Sequence, residues 1–192
     1  MKRILTSLFI VLVSSTFVFS TKVKPTKNVI VMIPDGTSLS VLSASRWLKT
    51  YRNEGTKLAV DPYICGTVST FCSNAPIGDS APTTSCYMTG IAAQAGNVSI
   101  YPVADSKNDL VKLNPDSAYQ PLATILEAMK IEQKKAAGLV VTCEFPHATP
   151  ADCASHTYSR KKYEIIAPQM AFNNLDVVIG GGNDFILDEM KQ

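Results

Sequence analysis

Ala137-Gly138-Leu139-Val140-Val141-Thr142 is a short apolar run, and a loop with His147-Ala148-Thr149-Pro150-Ala151 follows it closely. A run of this length, with β-branched residues and a helix start just beyond, reads as a buried strand of a parallel sheet. The pattern recurs downstream. Tyr158 to about Met170 reads as a helix with Pro168 near its end, and Asp176-Val177-Val178-Ile179 reads as a strand that stops at Gly180-Gly181-Gly182. It recurs upstream as well. Asn28-Val29-Ile30-Val31-Met32-Ile33 reads as a strand ending at Pro34-Asp35-Gly36, and Ser38 or Ser40 caps a helix with Val41, Ala44, Leu48 and Tyr51 on one face. Tyr63 to Phe71 reads as a further strand. Leu122, Ile125, Leu126 and Met129 form one face of a helix that runs to about Gln133, and residues 97–119, with Pro102, Pro115 and several Asp and Asn, read as a surface excursion. Alternating strands and helices predict an α/β fold, a mostly parallel sheet flanked by helices.

Met1-Lys2-Arg3 followed by the apolar stretch Ile4 to Phe19 predicts a signal peptide over residues 1–20, cleaved after Ser20. Residues 21–27 are a polar linker, and residues 28–192 form the folded part. The whole chain of 192 residues carries a net charge of +2, and loss of Lys2 and Arg3 leaves the mature part neutral. A neutral chain offers no electrostatic attraction for nucleic acid or anionic lipid. No stable membrane insertion is expected once the leader is removed. Five cysteines, an odd number without a CxxC spacing, argue against a zinc–thiolate site and leave at least one thiol unpaired within the chain. Asn97-Val98-Ser99 has the form of a glycosylation acceptor.

In open parallel sheets, ligands bind beyond the carboxyl ends of the strands. Asp35, His147 with Thr149, and Gly180–Gly182 all fall in such places, and Ser80 lies in a loop after a strand. Gly78-Asp79-Ser80-Ala81-Pro82-Thr83-Thr84-Ser85 puts an acid and a hydroxyl at the start of a small-residue helix that reaches Gly90. The plainer reading is an Asp or Ser cap. The chemical reading is a hydroxyl among free backbone N–H groups, where a phosphate can sit. Asp35 before Gly36 is either a turn residue or a cation ligand. Thr149 with Pro150 is a helix-cap signature and a candidate oxygen ligand, with His147 two residues away. Arg160 in His156-Thr157-Tyr158-Ser159-Arg160 could clamp two phosphate oxygens. Three successive glycines without a following Lys-Ser/Thr are a weak phosphate signal.

Taken in order, these motifs resemble the N-terminal part of an alkaline phosphatase, from about residue 28 to residue 183. The resemblance implies hydrolysis of phosphate monoesters through a phosphoserine, with two zinc ions and one magnesium ion. It implies that Ser80 is the nucleophile and a zinc ligand. Asp35 would bridge a zinc and the magnesium, and Thr149 would bind the magnesium. His147 would support that magnesium without touching it, Arg160 would hold the phosphate, and Asp79 would position Arg160 or the metal ligands. It also implies a periplasmic or secreted enzyme, often dimeric. The related possibilities are a metallohydrolase of diesters or sulfate esters and a non-catalytic phosphate-binding remnant. The family's other metal ligands have no counterpart here, because the chain contains only two histidines, His147 and His156. The expected fold is therefore an incomplete alkaline-phosphatase-like domain.

Overall fold

The structure, a computed structural model, describes residues 26–173 and 175–186. The predicted signal peptide and most of the linker lie outside the described residues. The chain divides into two units, Met1–Pro34 and Asp35–Gln192.

In the first unit, residues 26–34 form neither helix nor strand, and Val29, Ile30 and Met32 are largely exposed. The strand expected over Asn28–Ile33 is thus not formed. An apolar run becomes a strand only where a neighbour completes its backbone hydrogen bonds, and no described residue pairs with this one.

The second unit begins with helix α1, Leu39–Tyr51, capped by the Ser38 hydroxyl, which accepts from Val41 N–H at 3.4 Å. Arg46 on α1 forks onto Asp61, and the Leu58 N–H donates to the same carboxylate. The Arg46 bond, then the Leu58 bond, hold the Asp61 carboxyl down at about 2. Residues 64–71 have no strand partner, so the strand expected over Tyr63–Phe71 is replaced by a 3-10 turn at Asp61–Tyr63 and irregular backbone.

Helix α2, Ser80–Thr89, follows. Asp79 caps it by accepting from Ala81 N–H at 2.9 Å, and Gly90 ends it in the left-handed conformation at φ 80°. Its buried Ala81, Pro82, Thr84 and Ser85 are small, which lets another helix approach closely. The excursion that follows is not wholly on the surface. Val98, Ser99 and Ile100 are buried, Val98 is bridged to Thr157, and Ile100 is bridged to Pro121. Asn97 is only 5% exposed, so the acceptor sequence is closed to a glycan in the folded chain.

Helix α3, Ile125–Gln133, starts three residues later than the apolar spacing indicates, because Thr124 and Glu127 form a reciprocal capping box. Strand β1, Gly138–Glu144, leads into helix α4, Ala148–Ala154, whose cap is His147 rather than Thr149. Helix α5, Tyr163–Phe172, starts later than Tyr158 because residues up to 157 are held in the Val98 bridge. It continues past Pro168, which costs one backbone bond without ending it. Strand β2, Val177–Gly181, pairs parallel with β1 in the register Gly138↔Val177 through Val140↔Ile179.

The parallel pair with helices between its strands is the predicted α/β plan, present among the described residues as two strands and five α-helices. Lys130 Nζ and the Ala137 N–H both bind the Asp176 carboxylate, at 2.5 and 2.7 Å, which pins the start of β2 beside the start of β1. A Cβ on Gly180 would meet Val141 Cγ2 at 2.6 Å, so this glycine serves strand packing, and Gly180 and Gly181 belong to β2 rather than to an anion cradle. The core joins Ala81 of α2, Val98, Phe145, Ala148 and Ala151 of α4, and Ile166, Ala167 and Met170 of α5. All five cysteines are free thiols.

Candidate active site

Three of the expected residues meet at the N-terminus of α2. Arg160 Nη1 donates to Asp79 Oδ1 at 2.8 Å and to Ser80 Oγ at 3.0 Å. The Arg160 backbone is fixed as well, since its N–H donates to the Gly96 carbonyl at 2.7 Å, and the Gly96 N–H donates to Asp79 Oδ2 at 2.9 Å. Asp79 therefore has three tasks: it caps α2, holds the loop at Gly96, and aims the guanidinium. Because Asp79 is the cap, the Ser80 hydroxyl is not consumed in capping and stands free at the first helical position, half-exposed.

The other face of Arg160 reaches the start of α4. Its Nη2 lies 3.1 Å from His147 Nε2. A guanidinium can only donate, so this ring nitrogen accepts and the ring proton belongs on Nδ1. Two residues on, Thr149 Oγ1 donates to Asp35 Oδ2 at 2.9 Å. Asp35, His147, Thr149, Arg160, Asp79 and Ser80 thus form two adjoining groups, one oxygen-rich and one cationic.

The donors available for metals are limited. Asp35 and Thr149 offer the hard oxygens that magnesium prefers. A zinc site needs more nitrogen, sulfur or carboxylate donors than this. No group of three or more His, Cys, Asp or Glu able to hold a metal occurs among the described residues. His156 is not a spare ligand. Its Nδ1 faces the Ser99 carbonyl at 2.8 Å and its Nε2 faces Glu127 Oε1 at 3.0 Å.

With acceptors on both ring nitrogens, His156 is built to be an imidazolium. Burial pushes its pKa down, but the Glu127 and Ser99 hydrogen bonds and the Glu127 charge outweigh this, and the net shift is upward. Burial likewise pushes Glu127 up, while bonds from His156, the Thr124 N–H and Asn173 bring it down to about 2. The signs set a pH window. The carboxylate stabilises above its unfolded value near 4.5 and its contribution is lost as pH falls toward 2. The imidazolium stabilises below its unfolded value of 6.5, and its contribution is lost as pH rises through the higher folded value. Glu127→Gln is therefore expected to cost about 2 kcal/mol near pH 6, where both partners are charged, and less toward either extreme. Thermal melting of variant and parent across pH measures this, and a pH-independent difference would contradict the ion pair.

Some functional candidates escaped the sequence reading. Asp152, Ser85 and Ser99 form a buried cluster that joins α2, α4 and the excursion. The available signal was Asp152 itself, an acid in the otherwise small and apolar Ala148–Ala154 segment. Glu127 was readable only as a surface residue of α3.

Comparison with known proteins identifies relatives of the whole matched segment. The alkaline phosphatase family model matches residues 26–191. Alkaline phosphatase 3 of Bacillus subtilis (strain 168) is 35% identical over 168 residues, covering 81% of this chain and 32% of the relative. A cold-active alkaline phosphatase from the psychrophile Shewanella sp. superimposes with a TM-score of 0.68 at 27% identity, covering 83% of this chain and 37% of that one. A mutant of the alkaline phosphatase from the Antarctic bacterium TAB5, with Mg bound in the M3 site, has the same fold at a TM-score of 0.62 and 23% identity, over 79% of this chain and 38% of that one. The chain spans about a third of the length of the curated relatives it matches. A family-model match over residues 26–191, nearly every described residue, places this chain in the alkaline phosphatase family.

Proposed function

We propose that the full-length protein carrying this chain hydrolyses phosphate monoesters through a phosphoserine on Ser80, as an exported enzyme that uses magnesium and zinc. The observation that carries this reading is the Ser80 hydroxyl, free at the α2 N-terminus and 3.0 Å from the Arg160 fork.

Each residue of the chain has a definable task. The backbone N–H groups of the first turn of α2 and the positive end of its dipole favour the phosphoryl oxygens. Arg160 turns its two terminal nitrogens from Ser80 and His147 onto those oxygens and neutralises charge on the transferring group. Asp79 keeps the guanidinium aimed throughout. Ser80 Oγ forms the new P–O bond as the ester P–O bond breaks. Its proton leaves with the departing alcohol or with solvent, and water later cleaves the phosphoserine.

Asp35 and Thr149 fit part of a magnesium site, with His147 supporting it through the residues around the ion. The Mg-bound TAB5 relative supports a metal cofactor. The donors among the described residues do not make up a zinc site. Export is supported by residues 1–20 of the sequence, and no described helix is long and apolar enough to cross a membrane. A homodimer is proposed from the family resemblance.

The test compares two proteins on p-nitrophenyl phosphate with zinc and magnesium supplied. The full-length protein is expected to turn over, and residues 21–192 alone are expected to show little or no turnover. Robust zinc-dependent hydrolysis by residues 21–192 would show that the donors of this chain suffice after all.

A further inference from the structure

Ser85, Ser99 and Asp152 come from three parts of the chain and meet in the interior, each fully buried. Asp152 Oδ1 accepts from the Ser85 hydroxyl at 2.5 Å, from the Ser99 N–H at 2.7 Å and from the Ser99 hydroxyl at 3.2 Å. The Ser99 hydroxyl makes its shorter bond, 2.7 Å, to the Asp152 backbone carbonyl, and the Ser99 N–H also lies 3.1 Å from Ser85 Oγ. Every donor falls on one side of the carboxyl group. Asp152 Oδ2 is buried and has no partner.

This asymmetry decides the chemical form. A carboxylate would leave charge on Oδ2 unpaired in the interior, which costs far more than a neutral O–H lacking an acceptor. Burial pushes the Asp152 carboxyl well above the usual carboxylate range. The Ser85 and Ser99 bonds oppose the rise, and the Asp79 charge adds to it. The titratable groups that face Asp152 are Tyr87 from α2, Cys153 beside it on α4, and Asp79 at the head of α2, which is paired with Arg160. None of the first three brings a positive charge to the carboxyl group.

The cluster sits between the two helices whose N-termini make the site. α2 carries Ser80 and Ser85, while α4 carries Thr149 and Asp152 and is capped by His147. We propose that Asp152 is a positioning residue, a neutral buried acid that fastens α2 to α4 and thereby sets the Ser80 hydroxyl against the Thr149–His147 end of the site. Its ionisation puts an unpaired charge on Oδ2, and the joint relaxes to admit water. Small displacements of a reacting group carry large rate costs, so the joint acts on kcat rather than on substrate affinity. The catalytic consequence rests on the phosphatase reading, whereas the buried acid does not.

Asp152→Asn keeps an acceptor at Oδ1 and cannot ionise. The folded-state value of Asp152 lies above its unfolded one, so its stabilising contribution is intact below the usual value of 3.8 and is lost as pH rises toward the folded value. Relative to Asp152→Asn, wild type should therefore lose up to about tenfold in its folding equilibrium constant per pH unit, starting from about pH 4. In the full-length protein the kcat ratio of Asp152→Asn to wild type on p-nitrophenyl phosphate should stay flat while the folded carboxyl remains protonated and rise as pH reaches its folded value, where the stability difference levels off, with the KM ratio flat throughout. Ser85→Ala, which removes one donor from the joint, should lower kcat several-fold and keeps the test open if Asp152→Asn fails to fold.

Melting differences that stay constant from about pH 5 to about pH 10 overturn the buried acid. A melting difference that rises and levels off while the kcat ratio stays unmoved, or a Ser85→Ala kcat equal to that of wild type, overturns the positioning role. If wild type itself does not hydrolyse the ester, the phosphatase reading fails, and the melting comparison alone still decides whether the joint is a buried acid.

Discussion

Ser80→Ala is expected to lower phosphate-monoester turnover by the full-length protein on the order of 10³-fold or more, because it removes the hydroxyl that faces the Arg160 fork at the α2 N-terminus. The loss should fall on kcat. Ser80 is the first residue of α2, but Asp79 is its cap, so removing the Ser80 hydroxyl leaves the helix start intact. Among the described residues that hydroxyl is bonded by Arg160, at 3.0 Å and partly exposed, so the melting temperature should move little. This pairing of a large kinetic loss with a small stability change is what separates a nucleophile from a structural serine. Steady-state kinetics and a melting curve on the same preparation measure both. Equal losses of activity and stability would return Ser80 to a structural role.

Arg160→Ala is expected to lower kcat/KM by about 10²–10³-fold, through both a higher KM and a lower kcat. Its fork bridges Asp79, Ser80 and His147, and a phosphoryl group would replace the last two of these contacts. Arg160→Lys keeps the charge but not the planar pair of donors, so it should recover only part of the loss. Stability should barely register either change. The Arg160–Asp79 pair is partly exposed, and pairs of that kind contribute about 1 kcal/mol or less. Asp79 also keeps its bonds to the Ala81 and Gly96 N–H groups. Inorganic phosphate inhibition gives an independent reading, since a phosphate clamp predicts weaker inhibition in Arg160→Ala. Unchanged inhibition would place the clamp elsewhere.

Much of the site was legible because its parts are local in sequence. An acid before a small-residue helix, an arginine after a short polar turn and a threonine beside a proline each carry a backbone reason for their position. They meet where the starts of α2 and α4 adjoin, with Arg160 reaching from Asp79 and Ser80 to His147. The strands divided according to their partners. Val177–Gly181 forms because β1 lies beside it in parallel, whereas Asn28–Ile33 is as apolar and has no described partner. Apolarity marks a residue's preference for burial, and the ladder that makes a strand depends on distant residues.

The helix boundaries moved for local reasons that apolar spacing does not contain. The Thr124–Glu127 box delayed α3, and the Val98–Thr157 bridge delayed α5. Asp152 and Glu127 were harder still. Each is an ordinary acid in sequence, and each becomes consequential through residues tens of positions away: Ser85 and Ser99 for one, His156 and Asn173 for the other.

The most direct test of the account is to trap the intermediate. Full-length protein mixed with a phosphate monoester and quenched in acid should carry a phosphoryl group on the peptide containing Ser80, and fragmentation should place it on the Ser80 hydroxyl. The label should be absent from Ser80→Ala and reduced in Arg160→Ala. Continued hydrolysis by Ser80→Ala, or a phosphoryl group found stably on another residue, would contradict the assignment of Ser80 as the phosphoryl acceptor.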